Sequence, residues 1–180
     1  MLVVGISFLF QPKDNTVACV NVDIGTSCQI YLDPQMNVTK VVSQSQSVEL
    51  PQVSLSDALK LVTYESYIGN NSQCFESAVP AYFFAVTKGK YTPLVREQIL
   101  IFCQERGVKE SEICLISLSD TAVARAAELK VSPIRYELMR TLIEQRPNYS
   151  PRELIRLDSA QLYSLLLEEN VQYALDRSSV

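Results

Sequence analysis

The chain has 180 residues and a net charge of −4; 47% of its residues are hydrophobic and 20% are charged, as in a globular protein. It contains no histidine and no tryptophan, and its five cysteines fall at no metal-ligand spacing. Histidine is the usual general base near neutral pH and the commonest metal ligand, so Ser-His-Asp catalysis, Cys-His catalysis and an ordinary catalytic zinc site are excluded. The acidic balance also disfavours nucleic acid as a partner, because no positive field draws phosphates to the surface.

The first apolar run covers only Leu2–Phe10 and has no basic segment before it. A membrane span needs about 20 apolar residues, and a signal peptide needs a charged start and a cleavage site. The run therefore predicts a buried strand. The cysteines mostly lie in apolar segments, where a reduced cysteine behaves as a small hydrophobic residue. We therefore expect a cytoplasmic protein without a membrane-embedded part.

The first fifty residues predict an antiparallel meander of three or four strands. Leu2–Phe10 is followed by Thr16–Ile24, in which valine and isoleucine alternate with polar residues. A tight turn at Gly25-Thr26 leads into a second alternating stretch over residues 28–33, and Val38–Val42 can form a further strand. The polar run Ser43–Ser47 predicts a flexible connection out of the sheet.

Helices and two buried strands follow the meander. Leu55, Leu59 and Val62 have helical spacing behind Ser54 or Ser56 as the cap, and the sequence 69–72 breaks this helix. Residues 82–86 and 113–118 are short apolar runs that predict strands. Helices are expected after each strand, the first ending at Gly107 and the second near Lys130. From residue 132 onward the pattern is entirely helical, with segments ending near Pro147, Leu157 and Leu175.

Three helix starts have the same form, a hydroxyl residue followed by proline. Thr92-Pro93, Ser132-Pro133 and Ser150-Pro151 each predict a cap residue before a proline at the first helical position. Ser150 has Glu153 three residues later, which indicates a capping box. Ser119-Asp120 is a further predicted cap, in addition to the serine before the first helix.

The predicted element order is a β-meander, then α, β, α, β, α, then further helices. This order predicts an α+β (mixed α/β) fold in which a sheet is covered by helices. We expect a mixed domain over residues 1–131 and a C-terminal helical annex over residues 132–180.

The segment 20–27, Val-Asn-Val-Asp-Ile-Gly-Thr-Ser, resembles the first phosphate loop of the actin, hexokinase and sugar-kinase ATPases. In that family the aspartate acts through a magnesium-bound water, and the Gly-Thr-Ser turn offers N–H and hydroxyl groups to phosphate. The resemblance implies magnesium or a nucleotide phosphate at Asp23, Gly25, Thr26 and Ser27. The same residues also suit an ordinary β-turn, since glycine permits a positive φ.

The order βββ-α-β-α-β-α also resembles the ribonuclease H-like fold. Nucleases of that fold gather carboxylates from the first strand, the first helix and later elements around two magnesium ions. The resemblance implies Asp23, Glu65 and Asp120 as candidate catalytic residues. Each has an alternative interpretation: Asp120 as a helix cap, Glu65 as a solvated helix residue, and Asp23 as a residue of a strand that is not the family's first. In that last case Ser7 holds the position of the leading aspartate.

Two functional hypotheses from different classes follow. The first is a non-catalytic protein–protein interaction, assembly or adaptor protein without a cofactor, which binds a protein partner or itself. Its last helix has leucine around most of its circumference, and such a helix usually packs on two sides. The interface residues we predict there are Leu162, Leu165, Leu166, Val171 and Leu175. The alternative is a ribonuclease H-like or actin-like domain that uses Asp23 with magnesium or a nucleotide phosphate.

Overall fold

The computed structural model describes residues 15–24, 26–43, 46–69, 82–87 and 89–178; of residues 26, 46–52, 64–69 and 169–178 it describes the backbone. The predicted strand Leu2–Phe10 lies outside the described residues. Within these ranges no helix is both long enough and apolar enough to cross a membrane.

Six described strands form one mixed sheet. The sequence alternation of the first half produces an antiparallel meander, as predicted, and β1 also pairs antiparallel with β5. β5 and β6 are parallel, and the order across the sheet is β4-β3-β2-β1-β5-β6. The strands are β1 Ala18–Ile24, β2 Thr26–Leu32, β3 Asn37–Ser43, β4 Gln46–Ser54, β5 Tyr82–Thr87 and β6 Ile113–Leu118.

The strand β4 corrects one prediction. Ser43 belongs to β3 and residues 46–47 belong to β4, so these positions are paired strand residues and not a flexible connection. The sequence pattern of β4 is weak because its first two residues are polar and Pro51 interrupts the alternation of Val48, Glu49 and Leu50, so pairing with β3 decides its conformation. Pro51 lies inside it, and a proline is tolerated at a sheet edge because it needs no ladder partner there. The structure therefore has four described strands before the first helix.

Helices cover both faces of the sheet. One face carries α1 Leu55–Gly69 and α2 Thr92–Glu105, the first over β2–β4 and the second over β5. The helices on the opposite face are α3 Asp120–Leu129, α4 Pro133–Gln145 and α6 Ser159–Ser178, with the short α5 Pro151–Leu154 beside α4. The structure thus confirms an α+β fold with a helix over each predicted helical segment.

Three of the five predicted hydroxyl caps are confirmed and two are wrong. At α1 the cap is Ser54, whose hydroxyl accepts a hydrogen bond of 3.1 Å from the Asp57 N–H. Ser119 and Ser132 each accept a hydrogen bond from the backbone N–H three residues later, at 3.2 Å. Thr92 instead lies inside α2, where its hydroxyl donates to the Thr87 carbonyl and accepts from the Gly89 N–H. Ser150 occupies the cap position, but its side chain makes no cap hydrogen bond and the capping box does not form. In both failures, backbone contacts already satisfy this end of the helix.

The core consists of two clusters separated by the sheet. On one face, Val20, Val22 and Phe84 pack against α1 and α2. On the other face, Phe83, Ala85 and Leu118 pack against α3, α4 and α6. Alternate residues of β5 point to opposite faces, which explains why the strand is apolar throughout. The helices after residue 132 therefore bury core residues contributed by the first 131.

Candidate functional site

Asp23 lies at the meeting point of β1 and two C-terminal helices. Its carboxylate oxygen Oδ2 accepts a hydrogen bond of 2.6 Å from the Ser159 hydroxyl and one of 3.3 Å from the Ser132 hydroxyl. Ser132 is the cap of α4 and Ser159 is the first residue of α6. The negative carboxylate thus faces the N-terminal ends of two helices, where the backbone dipoles favour negative charge. This arrangement fastens the two helices to the end of β1.

The predicted phosphate-binding turn is only partly within the described residues. Asp23 and Ser27 stand opposite each other in the β1–β2 ladder. Thr26 is the first residue of β2, and Gly25 lies outside the described part of the chain. The Asp23 oxygen Oδ2 accepts hydrogen bonds from both serine hydroxyls. Because both hydroxyls point at this oxygen, the arrangement favours a structural role for Asp23.

The other two candidate carboxylates sit on different elements. Asp120 is the exposed first residue of α3. Glu65 belongs to α1, which packs on the sheet face opposite the one that Asp23 faces. Among the described residues, no group of three or more histidine, cysteine, aspartate or glutamate side chains could hold a metal ion. The magnesium site implied by the ribonuclease H-like resemblance therefore stays a prediction.

A chain of hydrogen bonds crosses the polar face of the sheet beside Asp23. The Tyr31 hydroxyl donates to Gln29 Oε1 at 2.9 Å, and Gln29 Nε2 donates to Asn21 Oδ1 at 2.9 Å. Lys40 Nζ lies 5.7 Å from the centre of the Tyr31 ring, where a cation–π attraction operates. Asn21 is only 2% exposed, so its amide needs these partners to offset the cost of burial.

A cavity of about 340 Å³ opens over this polar face. Its floor includes Asn21, Ser27 and Gln29, and its wall is the segment 130–134 that links α3 to α4. The lining offers amide and hydroxyl groups that can hydrogen-bond a small polar molecule. The sequence did not indicate this cavity, because β1, β2 and the linker come together only in the folded chain.

The strand β6 forms one end of the sheet. Within the described residues it pairs with β5 alone, so the backbone groups of its outer edge have no strand partner there. Its sequence, Ile-Cys-Leu-Ile-Ser-Leu, contains no charged residue and no proline. Five of its six residues are half-buried. Proteins usually protect such an edge with charges, proline or a bulge, since an unprotected edge can pair with another chain.

The helix α2 carries three exposed apolar side chains, one of which lies beside this edge. Leu94, Leu100 and Ile101 are 44%, 43% and 40% exposed, respectively. Arg96 Nη1 donates to the Ser117 hydroxyl of β6 at 3.2 Å. Leu100 lies one helical turn beyond Arg96 and on the same side of the helix, so it flanks the β6 edge. We define the edge surface as β6 together with Leu100.

The interface residues predicted on the last helix have a different environment from the edge surface. Leu162 and Leu166 are 0% and 7% exposed and belong to the core cluster with Phe83. Leu165 is half-buried against the same cluster, while the side chains of Val171 and Leu175 lie outside the described part. In this fold, Leu162 and Leu166 hold α6 onto the sheet.

Comparison with known proteins adds no functional information. No protein-family model matches the chain, and no curated protein shows significant sequence similarity to it.

Proposed function

We propose that this protein is a non-catalytic interaction and assembly protein that recognises a protein strand at the edge surface. The observation that carries the proposal is the outer edge of β6, which has no strand partner among the described residues and contains no charged residue and no proline. A strand added there would complete the backbone hydrogen bonds of the sheet, and side-chain contacts would supply selectivity.

The surroundings of the edge support this mode of recognition. The half-buried side chains of β6 would lose their remaining exposure when a strand is added, which makes apolar burial favourable. Leu100 would extend the contact onto α2, beside a shallow groove that Pro93, Arg96 and Glu97 also line. The surface we propose therefore differs from the C-terminal helices expected from the sequence, because Leu162 and Leu166 pack inside the chain.

Light scattering on the purified chain tests the proposal, with and without magnesium and ATP. We expect a complex heavier than the 20.2 kDa chain, with a mass that neither addition changes. Thermal unfolding of the same samples completes the test. A monomer whose melting temperature rises with magnesium or ATP would contradict the proposal and direct attention to Asp23.

A further inference from the structure

We infer that the strand bound at the edge surface is β6 of a second copy of this chain. In this arrangement, two β6 strands pair antiparallel about a two-fold axis, and the two sheets become one continuous sheet of twice the width. The inference rests on the proposed function, since it names the partner that the edge surface takes.

The first argument is the chemistry of the edge. Every residue of β6 is uncharged, so two copies can lie side by side without like charges meeting, although each chain carries a net charge of −4. An antiparallel pair of identical strands also satisfies the edge backbone groups of both copies by the same set of hydrogen bonds.

The second argument is the distribution of apolar side chains on the two faces of β6. Ile113 and Leu115 point to the face covered by α2, whereas Cys114 and Ile116 point to the opposite face. A two-fold axis perpendicular to the sheet keeps each face continuous across the junction. Directly opposite residues of such a pair share a face, so Leu115 can lie against Leu115 of the other copy, or Ile116 against Ile116. These apolar side chains then lose their remaining exposure to water.

The third argument is the position of α2. The bond from Arg96 to Ser117 holds α2 over β6, so the two symmetry-related α2 helices lie on the same face, one on each side of the axis. Leu100 of each copy then points toward the junction. The neighbouring residues Arg96 and Glu97 carry opposite charges. This flank of α2 therefore has no net charge that would repel the same flank of the second copy.

A charge placed on the β6 edge tests the inference. Ser117→Glu adds a carboxylate that the Arg96 guanidinium can pair with, so the monomer should still fold. A second strand would bury this carboxylate against apolar side chains, so we expect the pairing to be lost. Thr121→Glu is the matched control, because it adds the same charge to an exposed position in the first turn of α3. Light scattering should give the mass of two chains for the wild type and for Thr121→Glu, and the mass of one chain for Ser117→Glu. Circular dichroism verifies that each variant is folded.

Photocrosslinking tests the geometry without disturbing β6. Benzoylphenylalanine at Leu100 should give a covalent dimer whose crosslink maps to α2 or β6 of the second copy. The same group at Leu61, which is 55% exposed on α1, should give none. A wild-type oligomer that survives Ser117→Glu, or crosslinks elsewhere, would overturn the pairing of β6 and leave an assembly function in place. A monomeric wild-type protein would overturn the pairing of β6 between two copies. If magnesium or ATP also raised the melting temperature of that monomer, the proposed function would be overturned as well.

Discussion

At the scale of single residues, Asp23 connects parts of the chain that are far apart in sequence. Its serine partners are 109 and 136 positions further along the chain. The pattern of a cap, a hydroxyl residue before a helix, is visible for Ser132 in the sequence. No local pattern indicates that this hydroxyl donates to Asp23, because the contact forms only when α4 and α6 pack on the sheet.

We expect Asp23→Asn to lower the free energy of unfolding by about 1–2 kcal/mol, because it removes a charge that two hydroxyls and two helix ends stabilise. Urea unfolding at one protein concentration measures this loss. Asp120→Asn is the control: Asp120 is exposed at a single helix end, so we expect about 0.3–1 kcal/mol. Ser159→Ala could lower the free energy of unfolding by the same amount in the Asp23→Asn variant as in the wild type. That result would show that Asp23 and Ser159 are not coupled.

The Cys19 thiol provides a prediction about pH. Burial raises the pKa of this thiol from 9.0 to about 12, because the charged thiolate loses its hydration. The folded pKa is above the unfolded one, so this contribution to stability is complete below pH 9.0 and is lost as the pH rises toward 12. We expect the free energy of unfolding to fall above pH 9.0, with a shallower fall in Cys19→Ala. Equal slopes in urea titrations of the two proteins would contradict the assignment.

At the scale of elements, the end of α3 stores backbone strain. Lys130 has φ of 56°, a left-handed conformation that side chains other than glycine rarely adopt. The N–H groups of Lys130 and Val131 each bond a carbonyl of the last helical turn at 3.1 Å, which is the ordinary glycine-ended termination.

We therefore expect Lys130→Gly to stabilise the protein by about 0.5–1 kcal/mol, because glycine adopts this conformation without a clash. Thermal or urea unfolding measures the gain. Lys60→Gly is the matched control: Lys60 is an exposed residue inside α1, where glycine should cost about 1 kcal/mol. A loss of stability in Lys130→Gly would show that the Lys130 side chain contributes more than the strain costs.

At the scale of the whole molecule, the two predicted segments both contribute to one of the two core clusters. The helices of residues 132–180 cover Phe83, Ala85 and Leu118 of the preceding segment. Removing these helices would expose the large apolar side chains to water. Each exposed side chain would lower the free energy of unfolding by about 1.5–3 kcal/mol, which is a large part of the net stability of a domain.

We expect a chain that ends at residue 131 to lack a cooperative unfolding transition and to bind a hydrophobic dye. Circular dichroism during heating and dye fluorescence measure both properties. The control is a chain that ends at residue 168, which keeps Leu162 and Leu166 in the core. A soluble remainder with a sharp transition would instead mark residues 132–180 as a separable annex.

The sequence by itself determined the class of fold and most of its elements. Alternating apolar residues predicted β1 and β2, and continuous apolar runs predicted β5 and β6, because burial on one or both faces leaves a local pattern. The sequence did not reveal β4, in which Pro51 interrupts a short alternation and whose conformation depends on pairing with β3. Only the tertiary structure placed Asp23 against Ser132 and Ser159 and left β6 at the end of the sheet. Both features depend on contacts between segments that are distant in sequence. The local interactions that form a helix or a strand do not specify those contacts.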